Sequence, residues 1–181
     1  DREGLHVMGA AGLPVAPIVA EGPDYFVTPD LGMTLRALMA DAPKAERLRA
    51  FAAAGAALAA LHAQGFSHGR PAVRDLCWDG ARVRFIDMEK FSARNDSARH
   101  FATDVLVFIH SVFAAGGGDA ELDAALSTYR LAAPRGWAAT VALARRFGWL
   151  GPVARAMRAL KPRSREVNAV APTLAYVTAR A

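Results

Sequence analysis

Apolar residues recur along this chain at helical spacing in most places and in short uninterrupted runs in a few. Over residues 44–64 they return every three or four positions, which predicts one long helix. Gly65 follows directly and is well suited to end that helix. Short apolar runs at 15–20 and 25–28 surround the turn-forming residues 21–24 and predict two strands joined by a turn.

The rest of the pattern completes an α+β chain, with its strands early and its helices late. Residues 1–11 predict the end of a helix, and Thr34 is placed to cap a short helix at 35–40. Residues 83–86 predict a third strand. From Ser97 onward the pattern is helical throughout. The helices predicted there cover 98–114, 120–131, 136–147, 152–160 and 166–178.

The composition agrees with one globular domain, or most of one. The chain has 181 residues, and 53% of them are apolar, which is enough for a packed core. Its one cysteine, Cys77, excludes an intrachain disulfide and suits a reducing cytoplasm, so we expect a cytoplasmic protein with Cys77 in its core. The longest apolar run is well short of the ~20 residues that span a bilayer.

Basic residues outnumber acidic ones, and the isoelectric point is about 10.0. They are densest between Arg145 and Arg165. This density predicts a solvated helix face, a peripheral contact with anionic lipid at the inner face of a membrane, or a contact with a phosphorylated substrate. Aromatic residues do not alternate with these charges, so we expect no nucleic-acid partner.

Two carboxylates stand at positions that suit a magnesium ion. Asp87 follows the predicted strand at 83–86, and Asp75 lies in a polar loop twelve residues earlier. A hard cation takes oxygen ligands from a few carboxylates and completes its shell with phosphate oxygens. The sequence therefore predicts a metal site formed by Asp75 and Asp87.

The segment 68–91 resembles the protein-kinase-like fold, and within it the bacterial kinases of the lipopolysaccharide-core (heptose/Kdo) type. His68-Gly69-Arg70 is similar to the His-Gly-Asp that opens the catalytic loop of that family. Asp75 falls on the family's metal-binding Asn, and Ile86-Asp87-Met88-Glu89 falls on its main metal segment. Residues 26–32 resemble the hinge between the lobes, and 44–64 resembles the long helix before the catalytic loop.

This resemblance implies a division of the chain, its cofactors and its site residues. Residues 1–32 would be a partial N-terminal lobe with the hinge, and 33–181 a mainly helical C-terminal lobe that carries the catalytic-loop-like segment 68–91. The implied cofactors are ATP and Mg²⁺. The implied site residues are His68, Arg70 and Asp75 in the catalytic loop, Asp75 and Asp87 at the metal, Phe26, Thr28, Asp30 and Glu3 at the nucleotide, and Asp104 as an acceptor for the loop backbone.

The chain also departs from the family pattern. Arg70 occupies the position of the catalytic Asp, and a guanidinium cannot act as a base at neutral pH. A second register places Arg74-Asp75-Leu76 on the Arg-Asp-Leu of the loop and restores an Asp. The metal-binding position then falls at Asp79 or Gly80, and the distance in sequence from there to Asp87 is shorter than the family uses. Glu89 is either a third acid at the metal or a partner of Lys90 or Arg94. The glycine-rich loop and its lysine are missing, and we expect that the chain begins too late to contain them.

Three functions follow from these observations. The first is an ATP- and Mg²⁺-dependent phosphotransferase, whose acceptor hydroxyl belongs to a glycolipid or to another molecule. The second is a pseudokinase that binds nucleotide or a partner and transfers nothing, for which Arg70 is the main argument. The third is a helical domain with no ligand.

Overall fold

The N-terminal part of the molecule is a helix packed against a short hairpin. The computed structural model describes residues 2–88, 90–91 and 97–181. Helix α1 (Arg2–Ala10) precedes two antiparallel strands, β1 (Ala20–Glu21) and β2 (Phe26–Val27). Glu21 of β1 lies 3.0 Å from the His6 ring, so side chains of α1 and the hairpin contact each other.

A second, three-stranded sheet lies at the centre of the candidate site. It consists of β3 (Met33–Thr34), β4 (Leu76–Trp78) and β5 (Val83–Phe85), in the order β3-β4-β5 and antiparallel throughout. Residues 14–16 border β5, because the Phe85 N–H donates to the Pro14 carbonyl at 2.9 Å and the Ala16 N–H donates to the Phe85 carbonyl at 2.8 Å. The sheet thus joins the early part of the chain to the loop after α3.

The remainder of the described chain is helical. Three of the helices have a side-chain cap at the N-terminus. The hydroxyl oxygens of Thr34, Ser97 and Ser164 accept hydrogen bonds from backbone N–H groups of the first turn. The helices are α2 (Leu35–Asp41), α3 (Lys44–Ala63), α4 (Ala98–Ala114), α5 (Asp119–Ala132), α6 (Pro134–Arg146), α7 (Leu150–Leu160) and α8 (Arg165–Ala179). Helix α3 packs on α5, α4 packs on α6 and α8, and α7 packs on α8.

One hydrophobic core connects the sheet to the helices. Phe51 of α3, Phe85 of β5, Phe108 of α4 and Tyr129 of α5 are all fully buried in the same cluster. The rings of Phe51 and Phe108 lie 6.2 Å apart. Burial of such large side chains supplies most of the driving force for folding, so the loop between α3 and β4 is attached to a rigid support.

The predicted α+β class is confirmed, and each predicted helix is present within three residues of its expected ends. The predicted strands at 15–20 and 25–28 are wrong in extent, because residues 14–16 bond to Phe85 and only 20–21 pairs with β2. The third predicted strand ends at Phe85 and not at residue 86. Strands β3 and β4 were not predicted. In the described part of the chain, no helix is long and apolar enough to cross a membrane.

Candidate functional site

The β4–β5 hairpin brings the two predicted metal ligands to the same end of the sheet. Leu76 pairs with Phe85, and the next backbone bond runs from the Ile86 N–H to the Asp75 carbonyl at 3.0 Å. Asp75 therefore directly precedes β4, opposite Ile86, and Asp87 follows one residue later on the other chain segment. Their proximity results from an antiparallel register that the sequence pattern did not reveal.

Asp75 is a buried carboxyl with one unpartnered oxygen. Its residue is 5% exposed, its Oδ1 accepts a hydrogen bond from Arg74 Nε at 3.3 Å, and its Oδ2 has no hydrogen-bond partner among the described residues. Burial raises the pKa of this carboxyl above its usual value, and the nearby Arg74 charge opposes that rise. A cation placed beside Oδ2 would offset the cost of burying the charge.

Asp87 is more accessible and faces Arg70. Its Oδ2 lies 3.5 Å from Arg70 Nη2, and the two side chains are 29% and 38% exposed. An ion pair of this length and exposure contributes little to stability, so its rupture costs little. The charges of Asp87 and Arg70 both act on Asp75. The structure thus brings Arg70, Asp75 and Asp87 together, as the sequence predicted for a single site.

His68 is buried beneath the same site. Its ring packs on Phe85 at 4.9 Å, and its Nδ1 accepts the Arg70 N–H at 3.4 Å. Burial lowers its pKa to about 4, although Asp104 and Asp87 oppose that change, so the ring is neutral near pH 7. With Nδ1 accepting, Nε2 carries the proton, and it has no partner among the described residues. The ring thus packs on β5 and accepts a hydrogen bond from the loop backbone, and a catalytic role for His68 stays a prediction.

Asp104 of α4 binds the start of the loop through hydrogen bonds to its backbone. It is fully buried, and its carboxylate accepts the His68 N–H at 2.7 Å and the Gly69 N–H at 2.9 Å. These are the backbone hydrogen bonds that the sequence analysis expected of Asp104. The same carboxylate lies 3.2 Å from His62 Nε2, and Tyr129 Oη lies 2.6 Å from His62 Nδ1.

The rest of the loop is held by neighbouring elements. Gly69 has a φ of +92°, and a side chain there would collide with the backbone of Lys90, so only glycine suits this position. The Val73 carbonyl accepts the Arg36 N–H at 3.0 Å from α2, and the Val73 N–H donates to Ser111 Oγ of α4 at 3.1 Å. The loop that carries Arg70 and Asp75 is therefore fixed from both sides.

The predicted nucleotide residues lie on α1, in and beside β2, and just before β3. Phe26 and Thr28 are half-buried in and beside β2, whereas Glu3 is exposed in the first turn of α1. Asp30 Oδ1 accepts the Gly32 N–H at 2.8 Å, just before β3. Asp30 and Asp75 both raise the pKa of the buried Cys77 thiol, although burial itself contributes most. Asp30 therefore lies within electrostatic range of β4.

In the part of the chain that the structure describes, the site has two acidic groups and not three. Among these residues no cluster of three or more His, Cys, Asp and Glu side chains is arranged to hold a metal. The predicted third acid, Glu89, lies outside the described residues, as does Arg94. Asp75 and Asp87 fit a cation that takes its remaining ligands from phosphate and water.

A cleft beside the two carboxylates was missed by the sequence analysis. Its volume is about 390 Å³, and four arginines line it: Arg36, Arg70, Arg74 and Arg165. We call it the arginine cleft. Arg70 and Arg74 also face Asp87 and Asp75, so the cleft and the carboxylate site share a wall. Arg36 and Arg165 are 129 residues apart in sequence, and no local pattern could have associated them.

Comparison with known proteins identifies a distant relative and no activity. No protein-family model matches the chain. Over 101 residues the chain is 31% identical to an uncharacterized protein of Haemophilus influenzae, and the match covers 55% of this chain and 42% of that protein. The chain thus spans less than half of that relative's length. The activity, substrates and partners of the whole protein are therefore matters for proposal.

Proposed function

We propose that this chain is part of an ATP- and Mg²⁺-dependent phosphotransferase with a protein-kinase-like fold. One observation carries the proposal: Asp75 and Asp87 lie at the same end of the β4–β5 hairpin, and Asp75 belongs to a loop whose first N–H groups are held by the buried Asp104. The resemblance of segment 68–91 to the lipopolysaccharide-core kinases supports it. Residues 1–32 as a partial N-terminal lobe and 33–181 as a C-terminal lobe stay a prediction.

The residues present fit the metal that this chemistry requires. The unpartnered, buried Asp75 Oδ2 and the accessible Asp87 carboxylate offer oxygen ligands from two chain segments. When bound, Mg²⁺ neutralises phosphate charge and aligns the phosphoryl group for transfer. The protein positions these ligands through the hairpin register and keeps Asp75 out of bulk water. Asp30 and the backbone of 26–32 are the proposed contacts for the nucleotide base.

Arg70 determines what the loop is able to do. It stands where the family has a base, and its guanidinium has no lone pair with which to accept the acceptor's proton. Phosphoryl transfer depends mainly on positioning and charge stabilisation, so loss of the base slows the reaction without abolishing it. Arg70 would instead stabilise negative charge on the transferred group, for which it must leave Asp87. Arg70→Ala should then lower turnover more than nucleotide affinity.

The pseudokinase remains the second candidate, and a specific observation favours it. Arg70 pairs with Asp87 and Arg74 pairs with Asp75, at 3.5 and 3.3 Å. Both carboxylates thus already have a cationic neighbour. A module of this kind would bind nucleotide or a partner without needing Mg²⁺. The two candidates differ in whether Mg²⁺ strengthens nucleotide binding and whether ADP accumulates.

The acceptor is proposed from the resemblance, which implies a sugar hydroxyl of a glycolipid. The basic residues between Arg145 and Arg165 that the sequence analysis noted are exposed on α6 and α7 and before α8, where they would meet an anionic inner leaflet. Such a contact is electrostatic, so binding to anionic vesicles should fall as salt rises. Vesicle binding that salt does not change would contradict it.

The decisive experiment measures thermal unfolding of the full-length protein with ATP alone and with ATP plus Mg²⁺. A ligand at about one hundred times its dissociation constant adds ~2.7 kcal/mol to the free energy of unfolding. We expect a Mg²⁺-dependent stabilisation in the wild type that is lost in Asp87→Ala. The control is Asp41→Ala, which removes an exposed carboxylate at the end of α2 and should leave the stabilisation intact.

The outcomes separate the candidates. Mg²⁺-dependent stabilisation together with ADP formation supports the phosphotransferase. Stabilisation by ATP that is the same without Mg²⁺, and no ADP, supports the pseudokinase. No stabilisation under any condition contradicts both and favours a helical domain without a nucleotide.

A further inference from the structure

The arginine cleft concentrates positive charge where the proposed reaction would need to hold its acceptor. The cleft lies between α2, the loop 70–74, α4 and the first turn of α8. Its wall toward Asp75 and Asp87 is formed by Arg70 and Arg74. A molecule bound in the cleft would therefore lie next to the carboxylate site. Its volume of about 390 Å³ is in the range of small-ligand sites.

The two outer arginines of the cleft, Arg36 and Arg165, form no ion pair with a described residue. The one acidic residue that lines the cleft, Glu166, is 2.8 Å from the His110 ring. Arg70 and Arg74 are paired with Asp87 and Asp75, whereas Arg36 and Arg165 have no such partner among the described residues, so a bound anion would gain most from these two guanidinium groups.

The local structure keeps these charges in place. Arg36 lies in the first turn of α2, and its N–H is bonded to the loop at Val73. Arg165 opens α8, a 15-residue helix whose N-terminus adds a partial positive charge. The guanidinium group matches phosphate and carboxylate oxygens with paired hydrogen bonds, better than an ammonium does.

We propose that the arginine cleft binds the phosphate group of a phosphate-bearing ligand, which in the phosphotransferase is the acceptor. The assignment to the acceptor rests on the proposed function, whereas anion binding itself does not. Arg36 and Arg165 hold the phosphate at the outer side of the cleft. The hydroxyl to be phosphorylated then lies toward Arg70 and the two carboxylates.

The test is calorimetric titration of the purified protein with glucose 6-phosphate, with glucose as the uncharged match. Inorganic phosphate and vesicles of phosphatidylcholine with phosphatidic acid are titrated in parallel. The variant is Arg36→Gln/Arg165→Gln, and the matched control is Arg49→Gln/Arg135→Gln, which removes two exposed arginines, from α3 and α6, that neither line the cleft nor belong to the basic run 145–165. We expect the cleft variant to weaken phosphate binding by about tenfold or more and the control by less than about twofold.

The probes identify the source of the phosphate. Binding of glucose 6-phosphate but not glucose identifies a phosphorylated small molecule. Equal binding of inorganic phosphate identifies a site for the free ion, and binding of vesicles alone identifies a lipid headgroup. Each supports the proposal if it depends on Arg36 and Arg165. The proposal is overturned if no probe binds, or if the cleft variant and the control behave alike.

Failure of this proposal is distinguishable from failure of the proposed function. If Mg²⁺ and ATP do not stabilise the wild type but glucose 6-phosphate still binds through Arg36 and Arg165, the phosphotransferase is wrong and the cleft assignment stands. If ATP displaces glucose 6-phosphate with the same dependence on both arginines, the cleft holds nucleotide phosphates. The assignment to an acceptor is then overturned.

Discussion

Two of the four buried side-chain polar atoms without partners in the described part of the chain lie at the candidate site; the others are Arg47 Nε and Asn168 Oδ1. Asp75 Oδ2 and His68 Nε2 are both buried with no hydrogen-bond partner among the described residues. An unsatisfied buried polar atom costs about 1–3 kcal/mol, and native structures contain few of them. Both belong to the segment 68–75 that leads into β4, and such atoms are available to a bound ligand or water.

At the scale of the residue, we expect Asp75→Asn to stabilise the protein at neutral pH by on the order of 1 kcal/mol. Burial raises the folded-state pKa of Asp75 above its usual 3.8, so the charged form is disfavoured by folding. This loss of unfolding free energy is fully present at pH values above the folded-state pKa. It disappears as the pH falls through the folded-state pKa toward 3.8. The gain from Asp75→Asn should shrink over the same interval, as measured by urea unfolding at several pH values.

Asp79 at the other end of the same hairpin provides the matched control. The N–H groups of Ala81 and Arg82, together with Arg84, hold the pKa of Asp79 at about 2. Its charge therefore favours folding above pH 3.8, and this contribution is lost as the pH falls toward 2. Asp79→Asn should accordingly destabilise the protein at neutral pH. If both variants change stability in the same direction, the burial argument for Asp75 is wrong.

At the scale of the element, the closest helix contact is between α3 and α5. Gly55 is buried in the middle of α3, and a methyl group added there would collide with the backbone carbonyl of Ala125 in α5. A backbone carbonyl in the middle of a helix is fixed and cannot move away from the added methyl group as a flexible side chain can. The absence of a side chain at Gly55 therefore sets the distance between the two helices.

Gly55→Ala should destabilise the protein even though alanine favours helix formation. Forcing a group into a packed interface costs about 1–3 kcal/mol, whereas the helix propensity gained is at most about 1 kcal/mol. The control is Gly151→Ala in α7, where an added methyl meets nothing within 4 Å and should be neutral or slightly stabilising. Thermal unfolding of both variants tests this. A melting temperature of Gly55→Ala equal to that of Gly151→Ala would contradict the close packing.

The elements also show what the sequence was able to predict. Helix α3 was predicted almost to the residue, because its apolar spacing, its length and Gly65 all agree. Strand β4 was missed, because Leu76–Trp78 is only three residues long and its pairing with β3 and β5 is not local. Asp75 and Asp87 were identified from a motif, whereas Arg165 entered the arginine cleft through the packing of α8 on α4, which no local pattern encodes.

At the scale of the whole molecule, a buried chain of hydrogen bonds connects three helices to the loop. The Tyr129 hydroxyl in α5 lies 2.6 Å from His62 Nδ1 in α3, within hydrogen-bond distance, and burial keeps the pKa of Tyr129 above its usual value. His62 Nε2 then donates to Asp104 in α4, which accepts the His68 and Gly69 N–H groups. All three side chains are buried, so the chain is shielded from water.

Asp104→Ala should therefore be the most destabilising single change considered, at about 3–5 kcal/mol, because it leaves His62 and two loop N–H groups buried without their acceptor. Asp123→Ala is the control: Asp123 pairs with Arg180 at 2.8 Å but is half exposed, so its loss should cost about 1 kcal/mol. Urea unfolding measures both. The cost of Asp104→Asn, which retains one acceptor oxygen, should lie between the costs of Asp104→Ala and Asp123→Ala.

The same variants also test nucleotide binding. Since the loop N–H groups are released in Asp104→Ala, we expect Mg²⁺-dependent nucleotide binding to weaken more in that protein than in Asp123→Ala under the same conditions. Equal small costs for Asp104→Ala and Asp123→Ala would show that the loop is held by its contacts with Arg36 and Ser111 instead.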